Sequence, residues 1–167
     1  MASRFLSFYH RIRRFLGLFV WLLALSTVAV PSANGETFQL AIKTDTARHE
    51  FTVEVMRTAE DRARGLMYRQ QMKNNHGMLF DFGQNTTARM WMKNTYIPLD
   101  MLFIRADGSI SNIAGNTVPH STDVLSSKGE VRYVLEINGG LAARYGMTEG
   151  TQTRHEIFSK FGAIWAC

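Results

Sequence analysis

Cysteine is almost missing from the 167 residues: the only one is Cys167, the last, so no intrachain disulfide can form and the fold must rest on its core. Proline occurs three times, and no repeat or low-complexity stretch is present, which excludes collagenous, disordered and solenoid chains. Acidic residues are absent from the first 35 positions, where Arg4, Arg11, Arg13 and Arg14 lie. Those four arginines supply nearly all of the formal charge of +5, leaving 15 basic residues against 14 acidic ones in the remainder. With no basic stripe there, nucleic acid is not an expected partner. A Gly-rich phosphate loop and a Gly-x-Ser-x-Gly turn are also missing. His49, His76, His120 and His155 lack zinc-like spacing, and the carboxylates do not cluster as a calcium loop would, so no cofactor is expected.

What is present begins with a leader. A basic stretch ends at Arg13-Arg14, followed by 16 mostly apolar residues, 15–30 (FLGLFVWLLALSTVAV), and the turn-prone piece Pro31-Ser32-Ala33-Asn34-Gly35. These are the three regions of a secretory signal, with small Ala33 and Gly35 placing cleavage after Gly35. The apolar run is short for a spanning helix, which needs about 20 residues. Residues 1–35 are thus expected to direct export to the periplasm or beyond, the alternative being an uncleaved anchor with the domain facing the periplasm. Membrane contact is expected only through that anchor, and a monomer is expected rather than an oligomer.

Residues 36–158 form one domain on this reading, with 159–167 as an apolar C-terminal tail carrying Phe161, Ile164 and Trp165. Short alternating runs dominate the domain. Phe51, Val53 and Val55 alternate with Thr52, Glu54 and Met56, the pattern of a half-buried strand. Further strands are predicted at 37–43, 77–82, 87–92, 100–105, 109–114, 131–137 and 152–158. Asp107-Gly108 predicts a two-residue hairpin with positive φ at both positions. Thr58 predicts an N-cap for a helix over 59–65, and Asn138 one for a shorter helix over 139–145 ended by Gly146. Gly139-Gly140 serves either a tight turn or a close approach of backbone N–H groups to a ligand. About eight short strands with one or two short helices make the chain mainly β, a β-sandwich or partly closed barrel.

Several segments carry a more specific signal together. They are 61–69 (DRARGLMYR), 77–80 (GMLF) and 91–104 (WMKNTYIPLDMLFI), then Asp107-Gly108, Pro119 and 134–140 (VLEINGG). In this order and spacing the chain resembles the family known as domain of unknown function 192 (DUF192), small exported or membrane-tethered prokaryotic proteins. The resemblance covers roughly residues 50–158. It implies a β-sandwich or barrel-like domain with a short helix and assigns no activity. Met90 departs from it, standing where the family usually has an aromatic residue, and so does the tail.

Four polar residues concentrate the chemical interest. Lys93, Asn94 and Asp100 flank the loop that ends at Pro98, and Glu136 interrupts the apolar run 133–137. A cation, an amide and carboxylates at strand ends can orient a small polar ligand; Asn94 and Asp100 can equally bond loop backbone. Asp100 is the natural partner for Lys93. Glu136 shares its strand face with Val134, opposite Tyr133, Leu135 and Ile137, and that face meets solvent, an ion pair with Arg62 or Arg69, or a cleft. Arg62 and Arg69, seven apart, are candidates to bind a carboxylate or phosphate group, or else form surface pairs with Glu60 or Asp61.

The leading expectation is a small-ligand-binding or accessory protein of the cell envelope, its pocket lined by Lys93, Asn94, Asp100, Glu136, Arg62 and Arg69. One alternative is an envelope-polymer hydrolase or lyase with Asp100 and Glu136 as the acid–base pair. Another is a Cu(I) carrier, because eight methionines follow the leader and Met90 and Met92 would share one strand face, with His76 or His120 as a third ligand. Met also fills irregular cores, and that role is the simpler one here.

Overall fold

The computed structural model describes residues 37–159. The leader and the apolar tail from Lys160 onward, with Phe161, Ile164 and Trp165, lie outside the described residues. The strands, in chain order, are β1 (Thr37–Lys43), β2 (Arg48–Met56), β3 (His76–Thr86), β4 (Arg89–Met90), β5 (Leu99–Ile104), β6 (Ile110–Ala114), β7 (Leu125–Ser126), β8 (Val131–Asn138) and β9 (Gln152–Arg154). Helices are short: α1 (Ala59–Arg64), α2 (Leu141–Arg144) and α3 (Glu156–Ser159). Seven strands form one curled sheet in the order β6-β5-β8-β3-β2-β1-β9, and β4 pairs with β7 in a small second sheet.

The curl brings the two edges of the large sheet together at one end. Ser109, just before β6, bridges to Gln152 of β9. Around that bridge the N–H of Ile110 donates to the Thr151 carbonyl (2.9 Å), and the N–H of Thr153 donates to the Gly108 carbonyl (2.8 Å). A partly closed barrel results, in which edge groups that would otherwise lie open are satisfied. Gly108 is required at the seam: its φ is +87°, and a Cβ there would stand 2.7 Å from the Thr153 carbonyl oxygen.

Strand alternation divides the apolar residues between two faces. Leu40, Ile42, Phe51, Val53, Leu79, Leu102, Tyr133, Leu135 and Ile137 fill the interior, which Phe158 of α3 helps to close. Met78, Phe80, Leu99, Met101, Phe103 and Val134 occupy the outer face and are covered by Leu66, Ala88 and Met92. All neighbouring pairs in the large sheet are antiparallel except β2 and β3. A parallel pair needs a crossover, and residues 57–75, including α1, supply it over the outer face.

Local departures from the sequence expectations have identifiable causes. The predicted strand 87–92 is reduced to β4, because residues 92–95 form a turn closed by the Thr95 N–H to the Met92 carbonyl (3.0 Å), with Asn94 at φ 56°. The predicted strand 152–158 stops at Arg154, where the chain turns into α3. At Asp107-Gly108 only Gly108 has positive φ, and the Gly108 N–H bonds the Arg105 carbonyl (3.0 Å), so the connection is a four-residue turn rather than a two-residue one. The residue at the N-cap of α2 is Gly140, without a side-chain cap of its own, rather than Asn138.

Candidate functional site

Glu136 lies on the central strand β8, directly opposite Met78 of β3 and Met101 of β5. Its side chain therefore points to the outer face with those two methionines and Val134. It is only 4% exposed. No hydrogen bond or ion pair engages its carboxyl among the described residues. Burial raises its pKa from an ordinary 4.5 to about 8, so at neutral pH the group is mostly protonated.

The outer face is incompletely covered at this point. A cleft of about 350 Å³ opens over Glu136. One wall is the end of α1 and the turn that follows it, with Arg62, Arg64, Gly65 and Leu66; Phe80 and Phe82 of β3 lie below. The facing wall is the segment from Arg89 to Thr95, including Met90, Trp91 and Lys93. The volume is that of a small-molecule site, and its lining mixes apolar side chains with several cations and the single carboxyl of Glu136.

Each wall is held by specific bonds. Thr58 caps α1, its Oγ1 accepting the Asp61 N–H (3.0 Å). Nη1 of Arg62 donates to the carbonyls of Arg57 (2.5 Å) and Asp81 (3.0 Å), and its guanidinium lies 5.5 Å from the Phe82 ring centroid, which pins α1 to β3. Asn94 ties the turn after α1 to the 92–95 turn. Its carbonyl accepts the Tyr68 N–H (2.8 Å) and its Nδ2 donates to the Tyr68 hydroxyl (3.0 Å). Lys93 rests its ammonium 5.1 Å from the Trp91 ring centroid.

The structure thus gathers Lys93, Glu136 and Arg62 around one cleft, with Asn94 outside the lining but bonding its two walls together, and places the other two candidates elsewhere. Asp100 faces the barrel interior, since it pairs with Ile137 while Met101 pairs with Glu136. The two carboxylates point to opposite sides of the sheet and share no recess, so they form no acid–base pair. Nor does Asp100 meet Lys93. At 1% exposure, it accepts the backbone N–H groups of Asn116 (2.6 Å), Gly140 (2.9 Å) and Ala142 (2.6 Å). The carboxylate caps α2 from another strand, and the Gly139-Gly140 turn gives its N–H to protein rather than to a ligand. Arg69 lies beyond α1, which ends at Arg64, and forms a bidentate pair with Glu54 (2.6 and 2.5 Å) instead of one with Glu60 or Asp61.

Met90 and Met92 both pack on the outer-face cluster but are buried to different degrees. Met90 lines the cleft, whereas Met92 is buried with its sulfur accepting from the Thr117 hydroxyl (3.1 Å). Among the described residues no group of three or more His, Cys, Asp or Glu stands close enough to hold a metal ion. None of their helices is long and apolar enough to cross a membrane. Most of the other lining residues, among them Arg64, Arg89 and Trp91, were not anticipated from the sequence. The visible signal was a large aromatic next to cations in a segment rich in chain-turning residues.

Among curated proteins nothing matches this chain. Solved structures do resemble it, two of them as follows. One, from Sinorhizobium meliloti 1021 and provisionally described as a transcription regulator, shares 44% identity at a TM-score of 0.73, covering 74% of this chain and 97% of its own. The other, a protein of unknown function from Novosphingobium aromaticivorans DSM 12444, shares 38% identity at a TM-score of 0.72, covering 74% of this chain and 89% of its own. The DUF192 family model, described as an uncharacterized ACR, matches residues 40–155. That match spans well over half of the sequence, and the chain therefore belongs to the DUF192 family.

Proposed function

We propose that this protein is an exported small-ligand-binding protein whose site is the cleft over Glu136. The observation that carries this reading is a buried carboxyl without a protein partner at the base of an open cleft. Burying such a group without a hydrogen bond costs stability, and neither packing nor folding of β8 calls for it. A ligand that fills the cleft and bonds the carboxyl would recover that cost. Arg62, Arg64, Arg89, Lys93 and Thr95 complete the polar lining, while Asn94, Asp100 and Arg69 support the reading indirectly, by holding the walls and the sheet in place. Hydrolysis by two carboxylates has no support, since Glu136 is the only acid in the lining.

Ala63 lies on the exposed side of α1 and lines the cleft, so Ala63→Trp obstructs the site without touching the core. Thermal-shift screening of the full chain against a small-metabolite collection should return compounds that stabilise the wild type and not Ala63→Trp. Hits that stabilise both equally, or none at all, would overturn the assignment. Export rests on residues 1–35, and cell fractionation that leaves the protein in the cytoplasm would reject that part.

A further inference from the structure

The charge around the cleft is one-sided. Arg62, Arg64, Arg89 and Lys93 line it, and the only acid among the lining residues is Glu136. Arg64, Arg89 and Lys93 form no ion pair among the described residues; the acids nearby in sequence are otherwise placed, with Asp61 bonded to Thr58 at the start of α1. The floor is aromatic, from Phe80 and Phe82, with Leu66 in one wall and Trp91 in the facing one, 47% of its surface exposed. A cation-lined mouth above an apolar floor selects a molecule with both characters.

We propose that the ligand class is an amphipathic organic anion: a flat apolar body on the Phe80 and Trp91 side, a carboxylate at the cations Arg64, Arg89 and Lys93, and an acceptor oxygen against Glu136. This rests on the cleft being the binding site. Glu136 takes part as a neutral donor. The groups facing it are the uncharged Met78 and Met101 from the neighbouring strands and, across the cleft, the four cations of α1 and the 89–95 segment. Raising the pH above about 8 ionises Glu136, which then repels an anion and loses the proton it donates.

A series of one shape and three charges tests this: 1-naphthylacetate, its neutral amide and 2-(1-naphthyl)ethylammonium, titrated into the full chain and followed by fluorescence. The acetate should bind at least tenfold more tightly than the amide, and the ammonium more weakly than either. Arg89→Ala combined with Lys93→Ala should remove the preference for the acetate. Acetate affinity should fall at least fivefold between pH 7 and 9 in the wild type and hold constant in Glu136→Gln. Equal binding of the three probes, or tighter binding of the ammonium, overturns the anion class while leaving the cleft as the site if Ala63→Trp abolishes it. Failure of all three probes to bind rejects the class outright; binding unaffected by Ala63→Trp rejects the class and the cleft together.

Discussion

Replacing Glu136 by Gln is expected to make the protein more stable, by an amount that grows with pH. The folded protein holds the Glu136 proton up to about pH 8, whereas the unfolded chain releases it near 4.5. Between those values the folded state binds more protons, so its stability falls as the pH rises. At 1.36 kcal/mol for each pH unit, the wild type forfeits about 3 kcal/mol at pH 7 and about 5 kcal/mol above pH 8, which Gln does not. His155 works in the other direction. Burial, reinforced by Arg57, lowers its pKa to about 4, so stability is lost as the pH falls from about 6.5 to 4. The wild type should therefore gain stability on acidification from pH 8 to 6.5 and then level off, as the two slopes oppose each other. Glu136→Gln should be flat above pH 6.5 and decline below it. Urea unfolding at half-unit pH intervals measures both curves. If the two proteins differ by less than about 1 kcal/mol at pH 8, Glu136 is not a buried, unpartnered carboxyl and the argument for the cleft loses its premise.

Three further outcomes follow from the bonds that frame the site. Asp100→Ala strands three backbone N–H groups and should cost about 3–6 kcal/mol in chemical unfolding, whereas Asp100→Asn, keeping one acceptor oxygen, should cost about 1–3; equal losses would mean that the charge and the second oxygen do nothing. Gly108→Ala meets both a positive φ and the Thr153 carbonyl, and should lower stability by about 2–4 kcal/mol while speeding amide exchange in β9 first; uniform exchange would contradict the seam. Arg69→Met removes a partly exposed bidentate pair with Glu54 and should cost only about 1 kcal/mol, with probe affinity in the cleft unchanged.

Much of the fold was legible in the sequence because period-two alternation and turn residues are local signals. The outer-face placement of Glu136 followed directly from its position between Leu135 and Ile137. Strand pairing was not legible, and it decided the site. Asp100 and Glu136 both precede an apolar core residue, yet the register of β5 against β8 sends them to opposite faces. Nothing local distinguishes a carboxylate that accepts three backbone N–H groups from one that faces a cleft. Asn94 illustrates the same limit: its positive φ and its bonds to Tyr68 exist only because the turn after α1 comes to lie beside the 92–95 turn. The cleft itself is the gap between two covering segments, and a gap has no sequence of its own.

The seam between Ser109 and Gln152 has a consequence for how the chain is made. β9 follows every other described strand, so of these it is the last to leave the ribosome or a translocation pore. Until it arrives, β1 and the start of β6 each present an open backbone edge, able to recruit another nascent copy. Folding of this protein is thereby timed to β9: a chain halted just before Gln152 would hold almost all of its core and still be sticky.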